Sequence, residues 1–389
     1  EKAEHGAVAL RLVLETERQI DLDQPVQGFR RVRRALEGFI VDDRLVAAHG
    51  GQRLVGALVV KNGRIVGRGY HKKAGSAHAE VEALQDAGKR AKGSVLYITL
   101  EPCTHYGRTP PCVDKILESG IKEAVVGMVD PNPLNNGKGI QLLQEHRIKV
   151  IVGVLADEVR KINQPFIKSI TKKMPYVTVK VGQSLDGKIA AKSGDSQWIT
   201  SDKTREFSHH LRRYYDAIMV GVNTVIKDNP FLVSGDALKP FTRIIVDSHL
   251  STPATADIFQ KPQPVIIATL KESLGQEIEN RKLLQQKATI LEVKENNGQI
   301  NLHDLLKKLA RLEITNILVE GGGTLIGSLF DCGLVDRVLF FIAPKIIGGK
   351  DAISSVMGKG LSRVDKAARL KDVKIKRIGE DFLVEGTVK

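Results

Sequence analysis

Apolar and polar positions alternate in blocks along this chain, and from residue 54 onward the blocks have the lengths of strands and helices. Residues 54–60 form an apolar, β-rich run, Asn62-Gly63 follows, and residues 64–70 form a second run. An Asn-Gly pair between two such runs predicts a hairpin, because both turn positions need positive φ. Residues 78–92 predict a helix rich in Ala, Glu and Leu, and 94–100 a strand. Residues 111–119 predict a helix with Pro near its start and Gly120 just past its end, and 124–129 another strand. Strand and helix thus alternate over 54–155, the signature of a layered α/β sheet. Residues 157–173 read as a charged linker helix that Pro175 stops. A second alternating region follows, with strands at 176–181, 217–220, 243–247, 265–269, 316–320 and 337–342 and helices at 202–215, 302–312 and 325–332. Before residue 54, the stretches 8–17 and 29–39 have helical composition without a clean apolar stripe. The expected organisation is a segment of unclear match at 1–53, a first domain with its linker helix at 54–173, and a second domain at 174–389.

Size and composition fit that division. The chain has 389 residues, 42% hydrophobic and 27% charged, as in an ordinary globular protein of two domains. The formal net charge is +14. It suits anionic partners such as phosphorylated metabolites, a phosphate-rich cofactor or nucleic acid, or it is a solvated basic surface; Lys and Arg are spread out, with no block of five or six like charges. Three cysteines, Cys103, Cys112 and Cys332, argue against a disulfide scaffold. There is no apolar run of membrane-spanning length and no signal-peptide core, so a cytoplasmic enzyme is the simplest reading. The first residue is Glu1 rather than Met, as expected if the native start is missing or altered.

The first chemical cluster is His78-Ala79-Glu80, followed by Glu101-Pro102-Cys103 and Pro111-Cys112. A hydrolytic zinc site needs three protein ligands and an open position for water. His78, Cys103 and Cys112 supply three. Glu80, two residues after the His in the same helix, is placed to carry a proton from that water to a ring nitrogen and a leaving ammonia. His78 and Cys112 both open helices, where partial positive charge favours thiolate. This His-x-Glu plus Pro-Cys pairing is the zinc-deaminase signature, although eight residues rather than two separate the cysteines. The bland alternative, two buried cysteines and a helix-end histidine, requires all four residue types, their order and their turns to coincide. In the second region, Gly321-Gly322-Gly323 lies between a strand and a helix. It is either a phosphate-binding turn or a tight turn with close packing; it does not meet the Gly-x-Gly-x-x-Gly fingerprint.

The residues around these motifs carry a resemblance. Gly69-Tyr70-His71, Ala74-Gly75, His78-Ala79-Glu80-Val81, Thr99-Leu100-Glu101-Pro102-Cys103, Gly107-Arg108-Thr109-Pro110-Pro111-Cys112 and Asp130-Pro131-Asn132-Pro133 closely resemble the bifunctional riboflavin-biosynthesis deaminase/reductase family. So do Lys180, Ser184-Leu185-Asp186-Gly187-Lys188, Ser196-Gln197-Trp198-Ile199-Thr200-Ser201, Gly221-Val222-Asn223-Thr224-Val225, Asp228-Asn229-Pro230 and Val319-Glu320-Gly321-Gly322. The resemblance implies an α/β protein with an N-terminal cytidine-deaminase-like α/β/α domain and a C-terminal dihydrofolate-reductase-like α/β domain. It implies Zn2+ on His78, Cys103 and Cys112, Glu80 as proton shuttle, and NADPH in the second domain. Cofactor contacts fall on Gly182, Trp198, Thr224, Asp228, Ser248, Gly322, Gly323, Thr324, Leu325, Ile326, Gly327 and Ser328. Substrate contacts fall on Lys180, Ser196, Arg212, Leu232 and Glu320, with Lys180 and Glu320 nearest the hydride chemistry and Arg212 suited to a phosphate. Trp198 has core filling as its alternative, and Arg212 a solvated helix face. His71 and His105 read as loop or pocket-wall residues and Cys332 as a small core residue.

Two departures from the family pattern stand out. A Pro-Asn-Pro segment, whose Asn faces the deaminase substrate, is replaced here by Gly50-Gly51-Gln52-Arg53-Leu54-Val55-Gly56. The Arg that follows Asp228-Asn229-Pro230 in the family, on the substrate phosphate, gives way to Leu232-Val233-Ser234-Gly235; Arg212 and nearby lysines are the candidates to compensate. The expected activity is deamination of 2,5-diamino-6-(5-phosphoribosylamino)pyrimidin-4(3H)-one, then reduction of its ribosyl chain to ribityl. The alternatives are a reductase with a zinc-binding but impaired deaminase, and a nucleic-acid deaminase with an appended binding domain. With aromatics at 5% and no basic stripe interleaved with them, the last is disfavoured. Expected partners are the phosphorylated pyrimidine substrate and further copies of the chain, with neither nucleic acid nor membrane.

Overall fold

The computed structural model describes residues 54–71, 75–107, 109–234, 241–275 and 279–389; the stretches 8–17 and 29–39 lie outside the described residues. The chain divides into two compact units between Thr171 and Lys172.

The first unit is a five-stranded sheet with helices. In chain order its elements are β1 (Gly56–Lys61), β2 (Arg64–Tyr70), α1 (Ala79–Ala87), β3 (Val95–Leu100), α2 (Cys112–Glu118), β4 (Glu123–Met128), α3 (Lys138–Glu145), β5 (Lys149–Val152), α4 (Ala156–Ile162) and α5 (Gln164–Lys172). The strand order is β2-β1-β3-β4-β5. The expected hairpin is present: β1 and β2 pair antiparallel, and Asn62 and Gly63 turn the chain at φ 50° and 73°. Beyond β3 the pairing is parallel. Ala57, Val59, Leu96, Ile98, Ala124 and Val126 of the sheet share one core with residues of α1, α2 and α3. Two glycines set how α1 meets the sheet. A Cβ on Gly67 would lie 2.2 Å from the Ala83 carbonyl oxygen, and one on Gly69 would lie 2.1 Å from that of Ala79. Backbone therefore lies on backbone, which fixes the depth of the helix start that carries His78 and Glu80.

The single linker helix expected at 157–173 is two helices. Asn163 breaks it: its backbone leaves the helical region, and its side chain bonds the Leu54 N–H at 2.9 Å and the Leu54 carbonyl at 3.2 Å. Pro165, with no N–H to donate, sits in the first turn of the second piece. A side chain bonded to distant backbone overrides the local helical pattern.

The second unit is a nine-stranded mixed sheet. Its elements are β6 (Tyr176–Ser184), β7 (Lys188–Ala190), α6 (Asp202–Leu211), β8 (Ala217–Gly221), α7 (Val222–Asp228), β9 (Thr242–Val246), β10 (Val265–Leu270), α8 (Glu272–Gly275), α9 (Glu279–Lys287), β11 (Thr289–Val293), β12 (Glu295–Asn296), β13 (Gln299–Ile300), α10 (Leu302–Arg311), β14 (Asn316–Val319), α11 (Gly323–Asp331), β15 (Arg337–Ala343), β16 (Ile353–Ser354), β17 (Leu370–Ile378) and β18 (Asp381–Val388). The order in the large sheet is β11-β10-β9-β8-β14-β6-β15-β18-β17. Strands from β11 to β15 run parallel, and β18 and β17 are antiparallel additions. The parallel strands are buried on both faces and so read as continuous apolar runs. Val177, Val179, Met219, Ile317 and Val319 pack with Leu305, Leu309 and Leu329 of α10 and α11. Ile218, Val220, Ile245 and Ile267 pack in a second cluster with Val225 of α7 and Leu284 of α9. Because β14 enters between β6 and β8, loops that diverge in sequence meet at the carboxyl ends of these strands, where open α/β sheets bind ligands.

Candidate active sites

In the first unit, the end of β3 and the starts of α1 and α2 bring three donors together. His78 Nδ1 lies 3.3 Å from Cys103 Sγ and 3.4 Å from Cys112 Sγ, and the two sulfurs are 3.1 Å apart. Each cysteine N–H donates to the other's sulfur, Cys103 to Cys112 at 3.1 Å and Cys112 to Cys103 at 3.4 Å. Both cysteines are buried. The hydrogen bond between the sulfurs lowers the Cys103 thiol to about 4 and, with burial, raises that of Cys112. Metal ligation by these thiols would require their deprotonation. The other ring nitrogen, His78 Nε2, lies 2.9 Å from Thr109 Oγ1. That contact fixes the ring with Nδ1 toward the sulfurs.

Glu80 completes the cluster. It is 3% exposed, its Oε1 accepts from Cys112 Sγ at 3.3 Å, and its buried Oε2 has no hydrogen-bond partner among the described residues. Burial raises its carboxyl above the usual range, against the pull of His78. An imidazole and two thiols within 4.8 Å of one another, beside a carboxylate oxygen without a partner, match a metal site with three protein ligands and an open position. His71 stands at the wall, its ring edge-on to His78 at 5.5 Å. His105 lies in the loop between the cysteines, and its buried Nδ1 has no partner.

In the second unit, the carboxyl ends of β6, β8, β9 and β14 carry the residues expected to bind cofactor and substrate. Glu320, directly after β14, is gripped from two sides. Arg212 Nε and Nη2 donate to its two oxygens at 2.9 Å each, and Lys180 Nζ of β6 lies 3.6 Å from Oε2. Burial alone would raise the Glu320 carboxyl; the Arg212 and Lys180 charges outweigh it and hold it at about 2. Arg212 is buried rather than on a solvated face. Its Nη1 donates to the Val233 carbonyl at 3.0 Å, so three of the five guanidinium N–H groups are engaged by protein.

Around that triad, Gly321 and Gly322 take φ of 153° and 53°, and an ideal Cβ on Gly321 would lie 3.0 Å from Thr224 Oγ1. The glycine turn thus rests on the start of α7, and α11 begins behind it without a side-chain cap. Leu325 and Ile326 are buried in the core, and Gly323 and Gly327 are buried against the backbone of Ser354 and Met357, while Thr324 is exposed and Ser328 half-buried. Asp228, its carboxyl raised by burial, is hydrogen-bonded by Ser196. The Ser248 carbonyl accepts from Ser273 Oγ at 2.7 Å and Thr269 Oγ1 at 3.2 Å. Gly182 lies against Thr200. Trp198 is 61% exposed, with the Arg205 guanidinium 4.2 Å over its ring; it does not fill the core. Leu232 does, leaving only its backbone, at φ 48°, for a ligand. Cys332 is half-buried against the core.

Comparison with known proteins matches one known domain to each unit. Residues 43–128 match the model of the cytidine and deoxycytidylate deaminase zinc-binding region, and residues 175–384 match the RibD C-terminal domain. A riboflavin biosynthesis protein RibD from Aquifex aeolicus is 45% identical over 333 residues, 85% of this chain and 90% of the relative. The chain belongs to the RibD family. Acinetobacter baumannii RibD has a similar structure, with TM-score 0.81 and 32% identity over 93% of this chain and 99% of that one. A Thermotoga maritima diaminohydroxyphosphoribosylaminopyrimidine deaminase/5-amino-6-(5-phosphoribosylamino)uracil reductase gives TM-score 0.80 and 35% identity, again over 93% and 99%. As a RibD, this chain is a bifunctional deaminase and reductase of riboflavin biosynthesis, with a zinc-binding-type domain followed by a reductase domain. That supports the two-enzyme reading over the impaired-deaminase and nucleic-acid alternatives. No helix among the described residues is long and apolar enough to cross a membrane.

Sequence reasoning passed over Thr109 and Asn135, although Thr109 lies inside a quoted motif. It quoted Glu101 without giving it a role. Glu101 and Thr109 lie within three residues of Cys103 and Cys112, whereas no local signal marks Asn135.

Proposed function

We infer that the first unit deaminates 2,5-diamino-6-(5-phosphoribosylamino)pyrimidin-4(3H)-one and that the second reduces the ribosyl chain of the product. The observation that carries this reading is the convergence of His78, Cys103 and Cys112 beside the uncommitted oxygen of Glu80. A zinc ion held by those three side chains would supply a water polarised for attack near neutral pH. Glu80 would carry one proton of the water to the ring nitrogen and the other, from the hydroxyl then on the ring carbon, to the departing amine, so that ammonia leaves and a carbonyl remains. Thr109 holds the imidazole in the tautomer that turns Nδ1 toward the ion.

In the second unit, NADPH would supply the hydride for the ring-opened sugar carbon. The main-chain N–H groups at the start of α11 suit its phosphates, and Trp198, Thr224, Asp228 and Ser248 are the further candidates to contact it. Lys180, with its Nζ 3.6 Å from Glu320, is the candidate to hand a proton to the reduced centre. The site's cationic side chains and the chain's net charge of +14 suit a phosphorylated substrate. Arg212 serves by fixing Glu320 and, through it, the Lys180 amine.

Metal analysis of the purified chain should give about one zinc per chain. Ammonia should be released from the diaminopyrimidinone, and NADPH should be oxidised only with the deaminated product. Zinc-free protein that still releases ammonia at full rate would remove the metal from the reading, and no NADPH turnover with the product would remove the reductase half.

A further inference from the structure

Glu101 stands between β3 and the Pro102-Cys103 turn, and it is 2% exposed. Its carboxylate accepts four main-chain N–H groups. Those of Asp130 and Gly137 reach Oε2 at 2.9 Å each, and those of Gly139 and Ile140 reach Oε1 at 2.9 and 3.4 Å. Two of the donors belong to the first turn of α3, whose N-cap Gly137 has no side chain to offer. Glu101 therefore caps that helix from a distant point in the sequence, where a negative group is favoured. Four donors converging on two buried oxygens are what a carboxylate needs away from water.

The same segment closes on the cysteine turn from its other sides. Asn135 Oδ1 accepts from the Thr104 N–H and hydroxyl at 3.1 Å each, and its Nδ2 donates to the Pro102 carbonyl at 3.1 Å. A Cβ on Gly139 would lie 2.1 Å from that carbonyl oxygen. None of these groups reaches the His78, Cys103 and Cys112 donor atoms. Their common object is the backbone that carries Cys103.

We propose that Glu101 is a positioning residue of the deaminase centre, which binds residues 130–140 to the Pro102–Thr104 turn as one body and so holds the Cys103 sulfur against His78 and Cys112. The proposal rests on the reading that these three side chains bind zinc. Held this way, the thiol does not have to be ordered when the metal arrives, and it does not swing away once the metal is bound. Loss of the bracket speeds metal release without removing a ligand.

The test uses the full zinc-loaded chain and Glu101→Gln, which keeps the volume but turns an amide group toward N–H donors. Transfer of zinc to a chromophoric chelator is expected to be on the order of ten- to a hundredfold faster, the usual range for outer partners of metal ligands. The visible bands of the cobalt-substituted variant are expected to shift, a change that lowered stability alone does not produce. A folded variant with wild-type release rate and wild-type cobalt spectrum overturns the proposal, whatever its melting temperature. Should Glu101→Gln not fold, Asn135→Ala removes the bridge to Thr104 and Pro102 while leaving the carboxylate, with the same expected and overturning results. A wild-type chain that binds neither zinc nor cobalt overturns the metal reading itself, and this is seen before any variant is made.

Discussion

Glu80 and Glu320 are both glutamates at the ends of regular elements, both buried, and both beside the chemistry of their unit. Their neighbours differ. Glu80 has one oxygen near a sulfur and the other without a partner, and burial raises its carboxyl. Glu320 has both oxygens forked by Arg212, with Lys180 behind, and it is held at about 2. A carboxylate with an uncommitted oxygen can take and release a proton. One locked to two cations cannot, and it acts as a fixed negative charge that orders them. One residue type thus fills opposite roles through its surroundings.

The most direct way to break this contrast is Glu80→Ala. Ammonia release should fall by about 10²- to 10⁴-fold, the usual worth of a proton shuttle, while zinc content stays at the wild-type level; a variant of undiminished rate would reassign the proton. Next comes Arg212→Met, which leaves Glu320 buried with Lys180 alone. Removing one partner of a buried pair costs about 3–5 kcal/mol, so denaturant unfolding of the second unit should shift by an amount of that order. A negligible shift would mean that Lys180 and water suffice for the carboxylate.

Acid titration probes the same pair more gently. Since the folded-state value of Glu320 is depressed, its ionised form contributes stability that is fully present above the ordinary carboxylate value of 4.5 and is lost as pH falls toward about 2. The wild type should lose stability across that window, and Arg212→Met should lose less, as read by melting curves at stepped pH. The smallest effect is expected for Thr109→Val, which takes the partner from His78 Nε2. Zinc affinity should drop about tenfold, measured by chelator competition, with the second unit's NADPH oxidation as the internal reference.

How legible all this was in the sequence depends on whether a feature is local. The candidate metal ligands announce themselves, because His78, Cys103 and Cys112 sit in turn contexts that read off the chain. The hairpin at Asn62-Gly63 and the apolar strands of the parallel sheet are visible for the same reason. Strands β17 and β18 are not among the expected strands: in β17, Val373 and Ile375 alternate with Lys374 and Lys376 but stand exposed, so the pattern marks no core-facing side. The break at Asn163 is set by Leu54, over a hundred residues away in sequence. Arg212 read as a phosphate-binding candidate, with a solvated helix face as the alternative, and only the arrival of β14 beside β8 brings Glu320 to it. The family resemblance supplied the roles of the second unit; local pattern alone gave its strands and a glycine turn of undecided purpose.

Gly67 and Gly69 touch no substrate, yet the helix start bearing His78 and Glu80 is seated on them. Even a methyl group at either position would have to displace main chain, since what it meets is a carbonyl oxygen and not a yielding side chain. In a saturation-mutagenesis map scored for deamination, these two positions should therefore look like members of the catalytic set. Exposed neighbours on the same strand, such as Arg68, should tolerate nearly anything. A reader of such a map would find intolerance one strand away from the chemistry, with its cause in the spacing of two layers.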